Sequence, residues 1–250
     1  MKKVLYVNGC SHSCGCEISY PDSARTPEDL DKSWGGVIAR KHNLVHYNDA
    51  QPGQCNHAIA SNTIHTILKL LDQYSPNEIL VIIGWSSFDR TYFIHNNLVY
   101  RLVPGISERD YFDTLPLAVQ KAYFNYISGY DFDTAQNNFA LTYFNTVNFL
   151  KLNNIDYYFF NAIQPVTRPT VNVLHTTDNC TATFTLFDQI INDSNYLDPY
   201  NKDLTYFHYL IKKYDGRVGG RNLHFTEDAQ EEWANLLLAK MNPKWLDNAS

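Results

Sequence analysis

The sequence predicts an α/β domain: a three-layer α/β/α sandwich around a mostly parallel sheet of about five strands. Three observations carry that expectation. Short apolar runs alternate with amphipathic stretches through the first half of the chain, a βαβαβ beginning. The run Ile79-Leu80-Val81-Ile82-Ile83 is apolar without interruption, as in a strand buried on both faces of a parallel sheet. The last strong periodicity, near the C-terminus, is helical and closes the alternation.

Taken in order, residues 3–8 read as the first strand, residues 34–41 as a short helix and residues 44–48 as the second strand. Over residues 56–73, Ile59, Ile64, Ile67, Leu68 and Leu71 recur at helical spacings. Residues 78–84 are the third strand. Helical periodicity returns over 115–128 and 133–152, and Ile155-Asp156-Tyr157-Tyr158-Phe159-Phe160 reads as the fourth strand. In the final helix, 226–241, Thr226 can cap the start, and Glu227 and Asp228 suit its positive end. Trp233, Leu236, Leu237 and Met241 form its apolar stripe. Residues 85–116 and 164–201, rich in Tyr, Phe, Asn, Thr and Pro, fit no element and read as functional loops or lids within a single domain spanning residues 1–250.

Composition narrows the function classes. A chain of 250 residues, 44% hydrophobic, suits one compact core. A net charge of -6 gives no basic field for a polyanion, so nucleic acid is not expected as a partner and a small or neutral molecule is. No stretch approaches the ~18 apolar residues of a membrane helix. The four apolar residues after Met1-Lys2-Lys3 are too few for a signal-peptide core, and Asn8 breaks a lipobox at Cys10. The expectation is a soluble, cytoplasmic protein without a membrane partner. Five cysteines, three of them within residues 10–16, look unlike a disulfide framework and fit a reducing compartment.

The stretch Gly9-Cys10-Ser11-His12-Ser13-Cys14-Gly15 follows the first strand, where open α/β sheets place their chemistry. Glycine two residues before Ser11 allows a sharp turn, and small residues leave backbone N–H groups free to face a substrate oxygen. The spacing Gly-x-Ser-x-Ser-x-Gly resembles the first block of the SGNH (GDSL-type) esterase and lipase family, with Cys10 where that family usually has aspartate. Ser13 at the second glycine position excludes the Gly-x-Ser-x-Gly elbow of α/β-hydrolases. Taken alone, the stretch would equally be a turn capping the next helix.

Three further blocks extend the resemblance from Gly9 to His224. Gly53, in Gln51-Pro52-Gly53-Gln54 after the second strand, matches the family glycine whose N–H faces the oxyanion; by itself it is a Pro-Gly turn. After the third strand, in Gly84-Trp85-Ser86-Ser87, Ser86 stands where the family has a donating asparagine. A hydroxyl is a less preorganised donor than an amide, and Asn56 is a candidate replacement. His224, just before the last helix, matches the catalytic histidine. The family pattern Asp-x-x-His is altered, because Arg221 takes the aspartate's place and a guanidinium cannot accept a hydrogen bond. A carbonyl, another carboxylate with Asp215 the nearest upstream, or a Ser-His dyad remain as alternatives.

The resemblance implies a flavodoxin-like fold and acyl-ester hydrolysis without metal or organic cofactor. Ser11 would be the nucleophile, His224 the base, and Gly53, Ser86 and Asn56 the oxyanion donors. A zinc site from Cys10, Cys14, Cys16, His12, Cys55 and His57 is not expected, since the spacing lacks a Cys-x-x-Cys knuckle. Cys10 is a weaker nucleophile candidate, because its side chain should point away from that of Ser11. The 18 Tyr and 14 Phe can stack on sugars or fill the core, and aromatic and amide-rich loops favour a neutral, hydroxyl-rich substrate such as an acetylated carbohydrate. The alternatives are acyl transfer to another alcohol and a catalytically weak or inactive binding or assembly domain, for which Cys10, Ser86 and Arg221 argue.

Overall fold

The computed structural model describes residues 2–19, 25–167, 190, 192–216 and 224–241. Among these, the strands are β1 (Val4–Asn8), β2 (Val45–Asn48), β3 (Ile79–Trp85), β4 (Thr91–His95), β5 (Leu98–Leu102) and β6 (Asp156–Asn161). The helices are α1 (Pro27–Lys32), α2 (Trp34–Lys41), α3 (Asn56–Leu70), α4 (Leu117–Ser128), α5 (Phe132–Leu152), α6 (Tyr206–Lys213) and α7 (Glu227–Lys240). A parallel sheet runs in the order β2-β1-β3-β6, and β4 and β5 pair separately as an antiparallel hairpin.

The period of two along each strand sorts its side chains into two cores. Ile79, Val81, Ile83 and Trp85 of β3 pack with residues of α3 and α5, such as Ile59, Ile67 and Tyr143. The alternate residues Leu80 and Ile82 pack on the other side with Trp34 and Ile38 of α2 and Trp233 and Leu237 of α7. All seven residues of β3 are buried, which is why its sequence is continuously apolar. The result is the expected α/β/α layering.

Among the described residues the sheet has four strands, where about five were expected. The fifth position is reduced to one parallel bridge between Phe159 and Tyr196, where the Phe159 N–H donates to Asn195 O (2.8 Å) and the Leu197 N–H to Phe159 O (2.8 Å). Asp198, at φ 30°, and then Pro199 turn the chain away before the pairing can extend.

Residues 85–116 are more ordered than the sequence suggests. The β4–β5 hairpin closes through Asn96 and Asn97, at φ 49° and 60°, the left-handed pair that a two-residue hairpin turn needs. With α4 the hairpin builds a satellite core of Leu102, Ile106, Phe112, Val119 and Tyr123. Of residues 164–201, only 164–167, 190 and 192–201 lie within the described part. Thr226 does occupy the N-cap of α7, but its side chain makes no capping hydrogen bond.

Candidate active site

The site is assembled where β1, β2 and β3 deliver their C-terminal ends. Asn8 closes β1: its amide nitrogen reaches Ile59 O (2.9 Å) and Thr63 Oγ1 (3.0 Å) on α3, and its Oδ1 accepts from the Gly9 N–H (2.8 Å). Gly9 is required by space. A Cβ there would lie 2.3 Å from Ser13 Oγ and 2.8 Å from Gly84 O. The chain then coils into a tight turn, with the Ser13 N–H donating to Cys10 O (2.9 Å) and the Cys16 N–H to Ser11 O (3.2 Å). Cys10 is buried in the core on the α2–α7 side, whereas Ser11 lines a cavity.

The second loop is tied to the first by the Gln51 N–H, which donates to Gly9 O (3.3 Å). Gly53, at φ 69°, lines the same cavity as Ser11. Ser86 and Asn56 are joined differently from the expectation. The Asn56 side chain brackets the Ser86 backbone, accepting from its N–H (2.8 Å) and donating to its carbonyl (3.1 Å). Asn56 Oδ1 and one of its two N–H groups are thereby committed to holding the third loop. Ser86 Oγ in turn accepts from Arg90 Nη1 (3.0 Å), and Arg90 lines the cavity beside Ser11 and His224.

His224 reaches the cavity from the segment just before α7, anchored by Phe225, which packs against Tyr206 and Phe207. Arg221 lies outside the described residues, and the carboxylate beside His224 is not Asp215, which is exposed just after α6 at φ 51°. It is Glu17. Its Oε2 lies 3.0 Å from His224 Nδ1, with the two side chains only 2% and 11% exposed. The contact has ion-pair closeness but lies off the direction of an aligned Nδ1 hydrogen bond. Glu17 gets there because Gly15 (φ 68°) and Glu17 itself (φ 63°) both adopt left-handed backbone after the Ser11 turn. A non-glycine residue held there costs of order 1 kcal/mol, a strain that concentrates at functional sites.

His12 was not anticipated as part of this environment. Its ring packs against His224 (centroids 5.3 Å apart) and Tyr206 (5.1 Å), buried. Burial pushes it well below the ordinary 6.5, and the His224 and Arg90 charges act in the same direction, so it is neutral. Cys14 and Cys16 lie with their sulfurs 3.1 Å apart beneath the turn. Among the described residues, no group of three or more His, Cys, Asp or Glu is placed to share a metal ion. Glu17 and Arg90 are each an ionisable residue in a loop that follows a parallel strand, a weak signal that local spacing alone does not single out.

The cavity is about 700 Å³, within the range of small-molecule sites. Its floor is Ser11, Pro52, Gly53, Arg90 and His224, and its walls come from the hairpin and the segment leading into α4, including Val99, Arg101, Val103 and Ile106. Residues 85–116 therefore supply a wall of the site.

No family model matches the chain, and no curated protein does. Similar solved structures include a Bacillus subtilis protein (14% identity, 98% of this chain and 57% of that one, TM-score 0.48). Others are a family two carbohydrate esterase from Clostridium thermocellum (14%, 98% and 65%, 0.49) and the esterase EstA from a Pseudoalteromonas species (14%, 99% and 100%, 0.48). The chain thus spans about 57% and 65% of the length of the first two. Similarity at this level carries no activity across, and the chemistry rests on the site's own residues. No helix among the described residues is long and apolar enough to cross a membrane.

Proposed function

We propose that this chain is a serine esterase of SGNH type, acting on a small-molecule or carbohydrate ester. One observation carries the reading: Ser11 and His224 line one cavity, and a buried carboxylate, Glu17, stands at the Nδ1 side of that histidine. A serine hydroxyl needs a base to become nucleophilic, and an imidazole needs an acceptor at one nitrogen to act as base at the other.

In this reading Ser11 Oγ attacks the ester carbonyl and its proton passes to His224 Nε2. The imidazolium so formed is stabilised by Glu17. The N–H groups of Ser11 and Gly53 hold the oxyanion, joined by a donor from the Ser86–Asn56–Arg90 group. Collapse expels the alcohol, which takes the proton from His224 and leaves Ser11 acylated. Water then attacks the acyl-enzyme with His224 as base, and the free acid departs. An alcohol in place of water would make the same site an acyltransferase.

The competing reading is a binding domain on the same fold, favoured by Cys10, Ser86 and Arg221 at family positions. Hydrolysis of 4-nitrophenyl acetate by the wild type, Ser11→Ala and His224→Ala separates the two. The esterase reading expects a wild-type rate above buffer that both variants lose, together with fluorophosphonate labelling that Ser11→Ala abolishes. A wild type no faster than buffer and unlabelled leaves the binding domain.

A further inference from the structure

The charge of the cavity does not follow from the charge of the chain. The sequence holds 20 Lys and Arg against 26 Asp and Glu, yet the lining includes Arg90, Arg101 and Arg109 and no carboxylate. Arg101, on β5, donates to Pro52 O (2.8 Å) and to Gln51 Oε1, both neutral. Arg90 donates to Ser86 Oγ, also neutral. Among the described residues neither guanidinium has a carboxylate partner, and each keeps donors to spare out of five. Glu17 stands beside His224 and does not itself line the cavity.

From this we infer that the substrate is an anionic ester, with a carboxylate or phosphate on the alcohol that leaves or on the acyl group that Ser11 takes up, held by Arg90 and Arg101. The inference rests on the esterase reading and replaces the neutral carbohydrate expected from composition. A planar guanidinium engages either anion through paired, charge-assisted hydrogen bonds. The chain's net negative charge opposes the approach of an anion, so uncompensated cations concentrated in the cavity are what selecting one requires. Apolar side chains on the same wall as Arg101, Val99, Val103 and Ile106 among them, offer contact to the remainder of the ligand.

Three acetyl esters differing in charge test it: 4-acetoxybenzoate, 4-acetoxyphenyl phosphate and the neutral methyl 4-acetoxybenzoate. The expected result is a kcat/KM at least tenfold higher for one or both anionic esters, falling with added salt. The preferred arm identifies carboxylate or phosphate. Arg101→Gln and Arg90→Gln should each shrink the anionic-to-neutral ratio about tenfold, and Arg101→Lys should restore part of it by keeping the charge without the fork. Calorimetric titration of Ser11→Ala with 4-hydroxybenzoate, phenyl phosphate and neutral 4-hydroxybenzamide reads the same site without turnover. Anion binding to Ser11→Ala that Arg101→Gln abolishes upholds the anion site, and a failure to cleave any ester then counts against the esterase reading alone. Hydrolysis with no anionic preference, or no anion binding to Ser11→Ala, overturns it, and hydrolysis without preference leaves the esterase reading intact.

Discussion

Glu17→Gln isolates the most distinctive feature of the site. The substitution keeps the size and shape of the side chain and removes only its charge. With Glu17 Oε2 3.0 Å from His224 Nδ1, Coulomb's law at an effective dielectric of ~20 puts the attraction between carboxylate and imidazolium at ~5 kcal/mol. That attraction exists only once His224 has accepted the serine proton, so it lowers the barrier without tightening substrate binding. Its full value would be about 10⁴ in rate, and the off-line contact reduces it, so kcat should fall between about 10² and 10⁴-fold with KM little changed. The assay is steady-state hydrolysis of 4-nitrophenyl acetate, with a thermal melt to establish that the variant is folded. Glu17→Asp, one methylene shorter, should lie between wild type and Gln. A folded Glu17→Gln variant with kcat within threefold of wild type would refute the assignment of Glu17 as the triad acid.

Other consequences follow from the packing and the buried ionisable groups. In Gly84→Ala the added methyl would sit 2.7 Å from the Phe160 ring and 2.8 Å from Ser13 Oγ, a clash expected to cost ~1–3 kcal/mol and visible as a lower Tm. Asn56→Ala strips the Ser86 N–H and carbonyl of their partners, at ~1–3 kcal/mol for each buried group left unpaired. On the esterase reading it also lowers kcat by loosening the third loop. Burial lowers His46 to about 4, and its Nε2 has no partner. Because its folded value lies below the unfolded 6.5, the unfolded chain binds the extra proton, and stability present above pH 6.5 is lost as pH falls towards 4, by ~3 kcal/mol at most. Urea titrations between pH 7 and 4.5 should show that loss, and His46→Phe should flatten it; an unchanged slope in the variant assigns the acid sensitivity elsewhere.

What the sequence disclosed, and what it hid, follows from the physics of each element. The strands β1, β3 and β6 are buried on both faces, so their apolar runs are unbroken and legible. The hairpin is half solvated, with burial alternating along β4, and its runs of mixed polarity look like loop. Its one firm signal, Asn96-Asn97 between residues of high β-propensity, was there to be used. At the fifth position, among the described residues, one bridge at Tyr196 stands in place of a ladder. At the site, the positions of Ser11, Gly53 and Ser86 just after β1, β2 and β3 follow from topology, and His224 joins them from the segment before α7. The partner of His224 was not legible from local spacing, because a carboxylate from the first loop reaches it only through two left-handed residues.

That route bears on the choice between an esterase and a binding domain. A carboxylate 2% exposed loses its hydration, and the loss is repaid only where charge and hydrogen bonding meet it. Holding it at φ 63° adds backbone strain. Folding needs neither feature: the cores on both faces of the sheet close without Glu17. A binding domain that had shed its chemistry would have no catalytic reason to hold a buried carboxylate at position 17. An esterase has a reason to keep the carboxylate there, because Arg221 cannot serve His224. Ser86 fits the same account: Asn56 holds its backbone, and Arg90, which donates to its hydroxyl and lines the cavity, supplies a charged donor in place of the missing amide. The departures at Ser86 and Arg221 are thus each matched by a group of the missing kind nearby, a pattern expected of a rebuilt site and not of one in decay.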